Sequence, residues 1–200
     1  MKICELDQNG PDWHAWRSEG LGGSDAPTVM DENNFQCRDE LTAIKMGRRN
    51  VPETPAMRRG KVLEPTARLK YQQMTGIRVR PVCVIHDQYP WLRASLDGLS
   101  EDHKIVLEIK CPTSPGTHYC ALRRQVPRYY RAQLQHQLAV TGCEELHFFT
   151  YFPDPEFAPE KQVALVKVKP DRPYIARLIE REKRYWEQLQ QERVQDGRVQ

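Results

Sequence analysis

The sequence has no apolar run approaching the ~18–20 residues of a membrane span. It has no internal repeat and no C-x-x-C pair among its six cysteines, Cys4, Cys37, Cys83, Cys111, Cys120 and Cys143. Zinc and iron–sulfur sites usually need closely spaced Cys or His ligands, so neither is expected. The six histidines show no H-E-x-x-H and no paired spacing, which removes a zincin-type site. The opening MKICELDQNGPDWHAW is broken by charge and Pro, which predicts no secretory leader, so the cysteines are expected as reduced structural thiols in the cytoplasm. Charge of one sign is scarce as well. Thirty Lys+Arg face 27 Asp+Glu, a formal net charge of only +3, so bulk charge does not by itself demand a nucleic-acid partner.

What is present is a globular chain. Hydrophobic residues make up 39% and charged residues 28% of 200 residues, a length that predicts one domain over 1–200 and needs no disulfide staples. The core is expected over about 13–170, with a C-terminal helix at 173–192 and a flexible tail at 193–200. Basic residues cluster at Lys45–Arg49, Arg58–Lys61 and Arg123–Arg131, the pattern of a basic groove with a solvated back.

The stretch to Arg17 reads as turn-rich. Gly20-Leu21-Gly22-Gly23-Ser24-Asp25 then leads into a short helix, with Ser24 or Asp25 as N-cap, Pro27 in its first turn and backbone N–H groups aimed at an anion. A helix covers Glu64–Thr75, possible from Pro55, with Gly76 as its stop and Pro65 as its start or its kink. Strands are expected at Ile77–Ile85, where Pro81 marks an edge or a bulge, and at Trp91–Leu96 and Lys104–Lys110, joined as a hairpin by the turn Gly98–His103. A helix follows at Arg123–Thr141, helical from about Pro127, then strands at Glu145–Tyr151 and Val163–Lys169 around a Pro-rich loop. Ile175, Leu178, Ile179, Trp186 and Leu189 mark the buried side of the last helix. This order predicts an α/β (α+β) fold, a central mixed sheet flanked by helices.

The chemistry concentrates in Ser95-Leu96-Asp97-Gly98-Leu99 and Leu107-Glu108-Ile109-Lys110-Cys111-Pro112. Side chains alternate along a strand, so Ile105, Leu107 and Ile109 point one way and Glu108 and Lys110 the other. Asp97, at the end of the neighbouring strand, can approach Glu108. Two carboxylates and the backbone carbonyl between Glu108 and Lys110 are hard oxygen donors of the kind Mg²⁺ takes while keeping several waters. The Lys110 ammonium can steer such a water at phosphorus. Glu64 on the preceding helix, Ser24-Asp25 after the Gly-rich turn, and Gln133 and Gln137 on one face of the following helix raise this reading above chance charges on a wet hairpin.

The order Asp, E-x-K, Gln-bearing helix resembles the PD-(D/E)xK nuclease core. More specifically, the chain resembles the phage lambda exonuclease and YqaJ-type viral recombinase family. The residues that carry the likeness are Trp13-His14-x-x-Arg17, Gly22-Gly23-Ser24, Gly60-Lys61-x-x-Glu64, Tyr71, Thr75-Gly76, the two segments above, Tyr130-x-Ala132-Gln133-x-Gln135 and Val140-Thr141.

The resemblance implies a restriction-endonuclease-like fold and a Mg²⁺-dependent 5′-to-3′ exonuclease on double-stranded DNA ends. Such an enzyme releases mononucleotides and leaves 3′ single strands for phage-type recombination by strand annealing. It implies about two Mg²⁺ ions, replaceable by Mn²⁺, held by Asp97, Glu108 and the Ile109 carbonyl, with Glu64 on the second ion and Lys110 orienting the water. Arg17, Ser24, Ser95 and Gln133 match the positions that hold a 5′-phosphate; a forked guanidinium and two hydroxyls suit that task. A homotrimeric ring, a phage single-strand annealing protein as partner, no membrane, and a bacterial cytoplasm hosting a phage or prophage complete the implied picture. Arg123, Arg124, Arg128 and Tyr130 are further candidate DNA contacts. Two other readings remain open here: a restriction or repair endonuclease on the same core, and a non-catalytic DNA-binding relative.

Overall fold

In a computed structural model of the chain, residues 1–197 are described. The elements run β1 (Lys2–Cys4), α1 (Pro11–Ser18), α2 (Ala26–Val29), α3 (Arg38–Lys45), α4 (Pro55–Thr75), β2 (Val79–Ile85), β3 (Arg93–Ser100), β4 (Ile105–Lys110), α5 (Gly116–Leu122), α6 (Arg131–Thr141), β5 (Glu145–Tyr151), β6 (Val163–Val168) and α7 (Arg172–Gln195). The six strands form one sheet in chain order; β4 and β5 are parallel and every other pair is antiparallel. The parallel pair requires a crossover, which α5 and α6 supply.

Alternation on β4 and β5 builds both layers. Leu107, Ile109 and Phe149 pack with Ala67 and Tyr71 of α4. Val106 and Phe148 point the other way, into the main core with Leu134 and Leu138 of α6. A third cluster of Leu21, Val29, Leu41 and Met46 meets Tyr185 and Leu189 of α7. The fold is the mixed sheet with flanking helices that the element order predicts.

α4 starts at Thr54, whose hydroxyl accepts the Met57 N–H at 3.2 Å, and stops at Gly76 in the left-handed region, φ 72°. It runs unbroken through Pro65, so that proline neither starts nor ends it. Pro81 marks a bulge. Between its flanking pairs, Arg80↔Leu99 and Val82↔Leu96, β2 advances two residues while β3 advances three. The extra residue lies in the Asp97-Gly98 stretch, and bulges re-aim side chains beside functional sites.

Several boundaries differ from expectation. The turn-rich N-terminus contains β1 and α1, and α3 and α5 are additional helices. The helix expected over Arg123–Thr141 is confined to Arg131–Thr141, preceded by a 3₁₀ turn at Arg128–Tyr130. The hairpin turn sits later, because β3 continues to Ser100. α7 begins one residue early and reaches Gln195, so residues 193–195 of the expected tail are helical; residues 198–200 lie outside the described residues. The buried stripe of α7 is Tyr174, Leu178, Glu182, Tyr185 and Leu189, with Ile175, Ile179 and Trp186 only partly covered. All six cysteines are free thiols.

Glu182 in that stripe is the partner of buried His136. Its Oε1 lies 2.7 Å from His136 Nδ1, while Nε2 lies 2.8 Å from the Arg93 carbonyl. Burial opposes the imidazolium, but Glu182 outweighs it and raises the His136 pKa above 6.5. The pair therefore contributes stability that is full below the free imidazole value and fades as pH rises through the elevated one. Glu182→Ala should cost about 3–5 kcal/mol in denaturant unfolding, and the penalty should shrink at alkaline pH; a penalty independent of pH would refute the charged pair.

Candidate active site

Asp97 lies inside β3, not at its end. Gly98 pairs with Leu107, and the Asp97 side chain reaches across to β4, where Oδ2 accepts the Ile109 N–H at 2.7 Å. Gly98 is required by closeness: a Cβ there would stand 3.0 Å from the Cβ atoms of both Leu107 and Val79. The bulge and the glycine together bring the Asp97 carboxylate against the segment that carries Glu108.

Glu108 is 2% exposed, and donors surround it. Lys110 Nζ lies 2.5 Å from Oε1 and the Gln133 amide donates to the same oxygen at 2.6 Å. The Gln137 amide donates to Oε2 at 2.6 Å. Spacing at i, i+4 on α6 is what aims both glutamines at one carboxylate. Lys110 lies 4.9 Å from the centre of the Tyr130 ring. Burial disfavours its charge, yet Glu108 and Asp97 outweigh that and hold the ammonium above the ordinary lysine range. Lys110 is thus favoured as a cation.

Glu64 of α4 faces the same space, with Arg68 one turn on as its ion-pair partner. Arg68 Nε also donates to the Asp97 carbonyl at 2.7 Å. Burial, together with the Glu108 and Glu64 carboxylates, pushes the Asp97 carboxyl well above the usual range. Glu108 and Glu64 thus raise the cost of a charge on Asp97, a field that a divalent cation would relieve.

Among the described residues, no three His, Cys, Asp or Glu side chains gather closely enough to ligate one ion unaided. Asp97, Glu108 and the Ile109 carbonyl suit an ion that fills its remaining positions with water, as Mg²⁺ does. Glu64 is held by Arg68 through Oε1.

The other end of the cleft holds a second cluster. Arg17 Nη2 donates to Ser24 Oγ at 2.7 Å, and its guanidinium lies 4.6 Å from the centre of the Trp13 ring. Trp13 Nε1 donates to Ser95 Oγ at 2.8 Å. Arg17, Ser24 and Ser95 are thus assembled around Trp13. Gln133, expected with them, is bonded instead to Glu108 and, at 3.4 Å, to Lys110. It lies between the clusters, since a Cβ on Gly23 would stand 3.3 Å from its Cγ. Both clusters line one cleft of about 330 Å³ that also takes in Glu64, Asp97 and Ile109.

Asp25 stands at the N-cap position of α2, one of the two residues expected there. Asp25 makes no side-chain cap; its carboxylate takes the Gly22 N–H instead, so that donor is not left for an anion. Arg123, Arg124 and Arg128 are exposed and stand outside the cleft lining. Tyr130 is partly buried and packs against the core, with Lys110 over its ring. The residues that sequence reasoning left unassigned are Arg68, legible only as an acid–base pair at i, i+4, and Trp13 and Gln137, whose partners are remote in sequence.

Residues 12–144 match the YqaJ-like viral recombinase domain. The uncharacterized protein YqaJ of Bacillus subtilis (strain 168) is 30% identical over 138 residues, 66% of this chain and 43% of that protein. The chain therefore spans less than half the length of that curated relative. The alkaline exonuclease LHK-Exo of Laribacter hongkongensis superposes with a TM-score of 0.82 at 26% identity, covering 94% of this chain and 97% of that one. LHK-Exo in complex with dAMP gives 0.77 at 28% identity, over 92% and 94%. A phage-related exonuclease from Haemophilus somnus 129PT shares the fold, with a TM-score of 0.67 at 16% identity over 86% and 96%. By the extent of the match, which takes in every catalytic and clamp candidate from Arg17 to Gln133, the chain belongs to the YqaJ-like viral recombinase family.

Proposed function

We propose that the protein is a Mg²⁺-dependent exonuclease that degrades the 5′-ended strand of double-stranded DNA, leaving 3′ single strands for recombination by annealing. The observation that carries this reading is the joining, in one cleft, of the Asp97–Glu108–Lys110 cluster with the Arg17–Ser24–Ser95 cluster. The dAMP bound by LHK-Exo supports a nucleotide-sized product.

Asp97, Glu108 and the Ile109 carbonyl would hold Mg²⁺, or Mn²⁺ on the same oxygen donors, which when bound supplies a Lewis acid at the scissile phosphate. The chain's own groups do the rest. Lys110 donates to the attacking water and offsets negative charge growing on the phosphoryl oxygens. Gln133 and Gln137 fix the rotamer of Glu108 and so its distance from Asp97. Arg17, Ser24 and Ser95 hold the terminal 5′-phosphate, which sets the scissile bond one nucleotide away. The water oxygen bonds to phosphorus, its proton passing to solvent, as the 3′-oxygen of the terminal nucleotide leaves and takes up a proton from solvent. The shortened strand keeps a 5′-phosphate, so the product of one cut is held by the same clamp for the next.

Linear duplex with 5′-phosphates should be lost with Mg²⁺ and spared with EDTA, and covalently closed circles should survive both. Nicked circles would replace this reading with an endonuclease, and end binding without loss of DNA would replace it with a binding module. A ring-shaped homotrimer and an annealing partner extend the reading on the strength of the family likeness. Light scattering tests the ring, which requires three times the monomer mass.

A further inference from the structure

Behind the Arg17–Ser24 pair lies an ion pair that the reaction does not use. Asp25 and Lys45 are 7% and 8% exposed, and Lys45 Nζ stands 2.6 Å from Asp25 Oδ2. The same ammonium donates to the Gly20 carbonyl at 2.8 Å and to the Arg17 carbonyl at 3.2 Å. Asp25 Oδ2 in turn accepts the Gly22 N–H at 2.8 Å. One lysine from α3 therefore ties the last turn of α1, which carries Arg17, to the glycine-rich turn that ends at Ser24. The opposite side of that turn is stitched to the start of β3, with the Leu21 N–H on the Trp91 carbonyl at 2.7 Å and the Arg93 N–H on the Leu21 carbonyl at 2.9 Å.

A buried ion pair adds little stability over an apolar pair of the same volume, so its value here lies in what it prevents. Asp25 is a carboxylate set beside a site meant for a phosphate. Burial would raise its pKa, but Lys45 first and Arg17 second hold it below the usual range. Arg17 is thus the other cation that Asp25 feels. Without Lys45, a buried carboxylate must protonate or find a cation, and Arg17 is within its field.

We propose that Lys45 is a positioning residue of the phosphate clamp: by neutralising Asp25 it keeps that carboxylate from capturing the Arg17 guanidinium. The inference rests on the clamp reading given above. It makes specificity for a phosphorylated end depend on a lysine that never meets DNA.

The test is the ratio of kcat/KM on 5′-phosphorylated over 5′-hydroxyl linear duplex, with Mg²⁺, for four proteins whose folding is checked by thermal unfolding. Arg17→Ala should cut the ratio to about one tenth or less; if it does not, the clamp reading fails and this inference falls with it. Lys45→Met should also cut it to about one tenth or less, and a retained ratio with Arg17→Ala impaired overturns the role of Lys45 alone. The double variant Lys45→Met/Asp25→Asn has no carboxylate to capture Arg17 and should keep at least about one fifth of the wild-type ratio, above Lys45→Met. A smaller ratio overturns the proposal. Should Lys45→Met not fold, the double variant decides on the same threshold, because it leaves no unpaired buried charge.

Discussion

Lys110→Met should lower the rate of strand degradation by about a thousandfold or more while leaving binding to duplex ends within about threefold. The ammonium stands 2.5 Å from Glu108, and removing one pre-aligned donor to a charged transition state costs roughly 10²–10³ in rate. Loss of the charge at the water adds to that. The fold should survive, because Glu108 keeps the amides of Gln133 and Gln137. Methionine fills much of the lysine stem's volume against Tyr130. A second readout sharpens the expectation. With its ammonium gone, the crowded acids should bind Mn²⁺ no more weakly than in the wild type, as measured by calorimetry. A variant that keeps a tenth of the activity would remove Lys110 from the chemistry.

Glu108→Gln should be as damaging to activity, by about a thousandfold or more, and almost silent in stability. The replacement is isosteric but uncharged, and its new amide group would face the amide of Gln137. Gln137 can answer, because its Oε1 is buried without a hydrogen-bond partner among the described residues and a flip of the amide turns that oxygen toward residue 108. Unfolding in denaturant should thus shift by no more than about 1 kcal/mol, while Mn²⁺ affinity falls sharply. An inactive variant whose Mn²⁺ affinity is unchanged would mean that Glu108 acts otherwise than as a ligand.

The parts of this molecule that the sequence makes legible are those fixed by short-range periodicity. The alternation of β4 separates Leu107 and Ile109 from Glu108 and Lys110. The i, i+4 spacing of Gln133 and Gln137 places both on one side of α6, and Gly76 ends α4. What the sequence hides depends on remote partners. β1 is three residues long and exists by pairing Lys2 with Ile85, a contact no local pattern announces. Ser95-x-Asp97-Gly98 reads as turn chemistry, yet Gly98 is there for lack of space between Val79 and Leu107, and so Asp97 sits within a strand. Lys45 reads as one of a basic cluster on the surface, whereas its ammonium is buried against Asp25. The clamp residues are legible through family likeness, but the diversion of Gln133 to Glu108 is a matter of distances.

The last helix carries no chemistry, and its first residue lies beyond the stretch that matches the family. It is nonetheless joined to three helices around the cleft: Glu182 to α6 through His136, Tyr185 to α3 through Thr42, and Arg193 to the Ser18 and Lys45 carbonyls at the ends of α1 and α3. Trimming the protein back to its recognisable motifs would therefore keep each reactive group and lose the brace that holds them in common alignment. Such a shortened chain should be a poor nuclease despite an intact signature, because it loses the contacts that the segment most easily dismissed as an appendage makes with α1, α3 and α6.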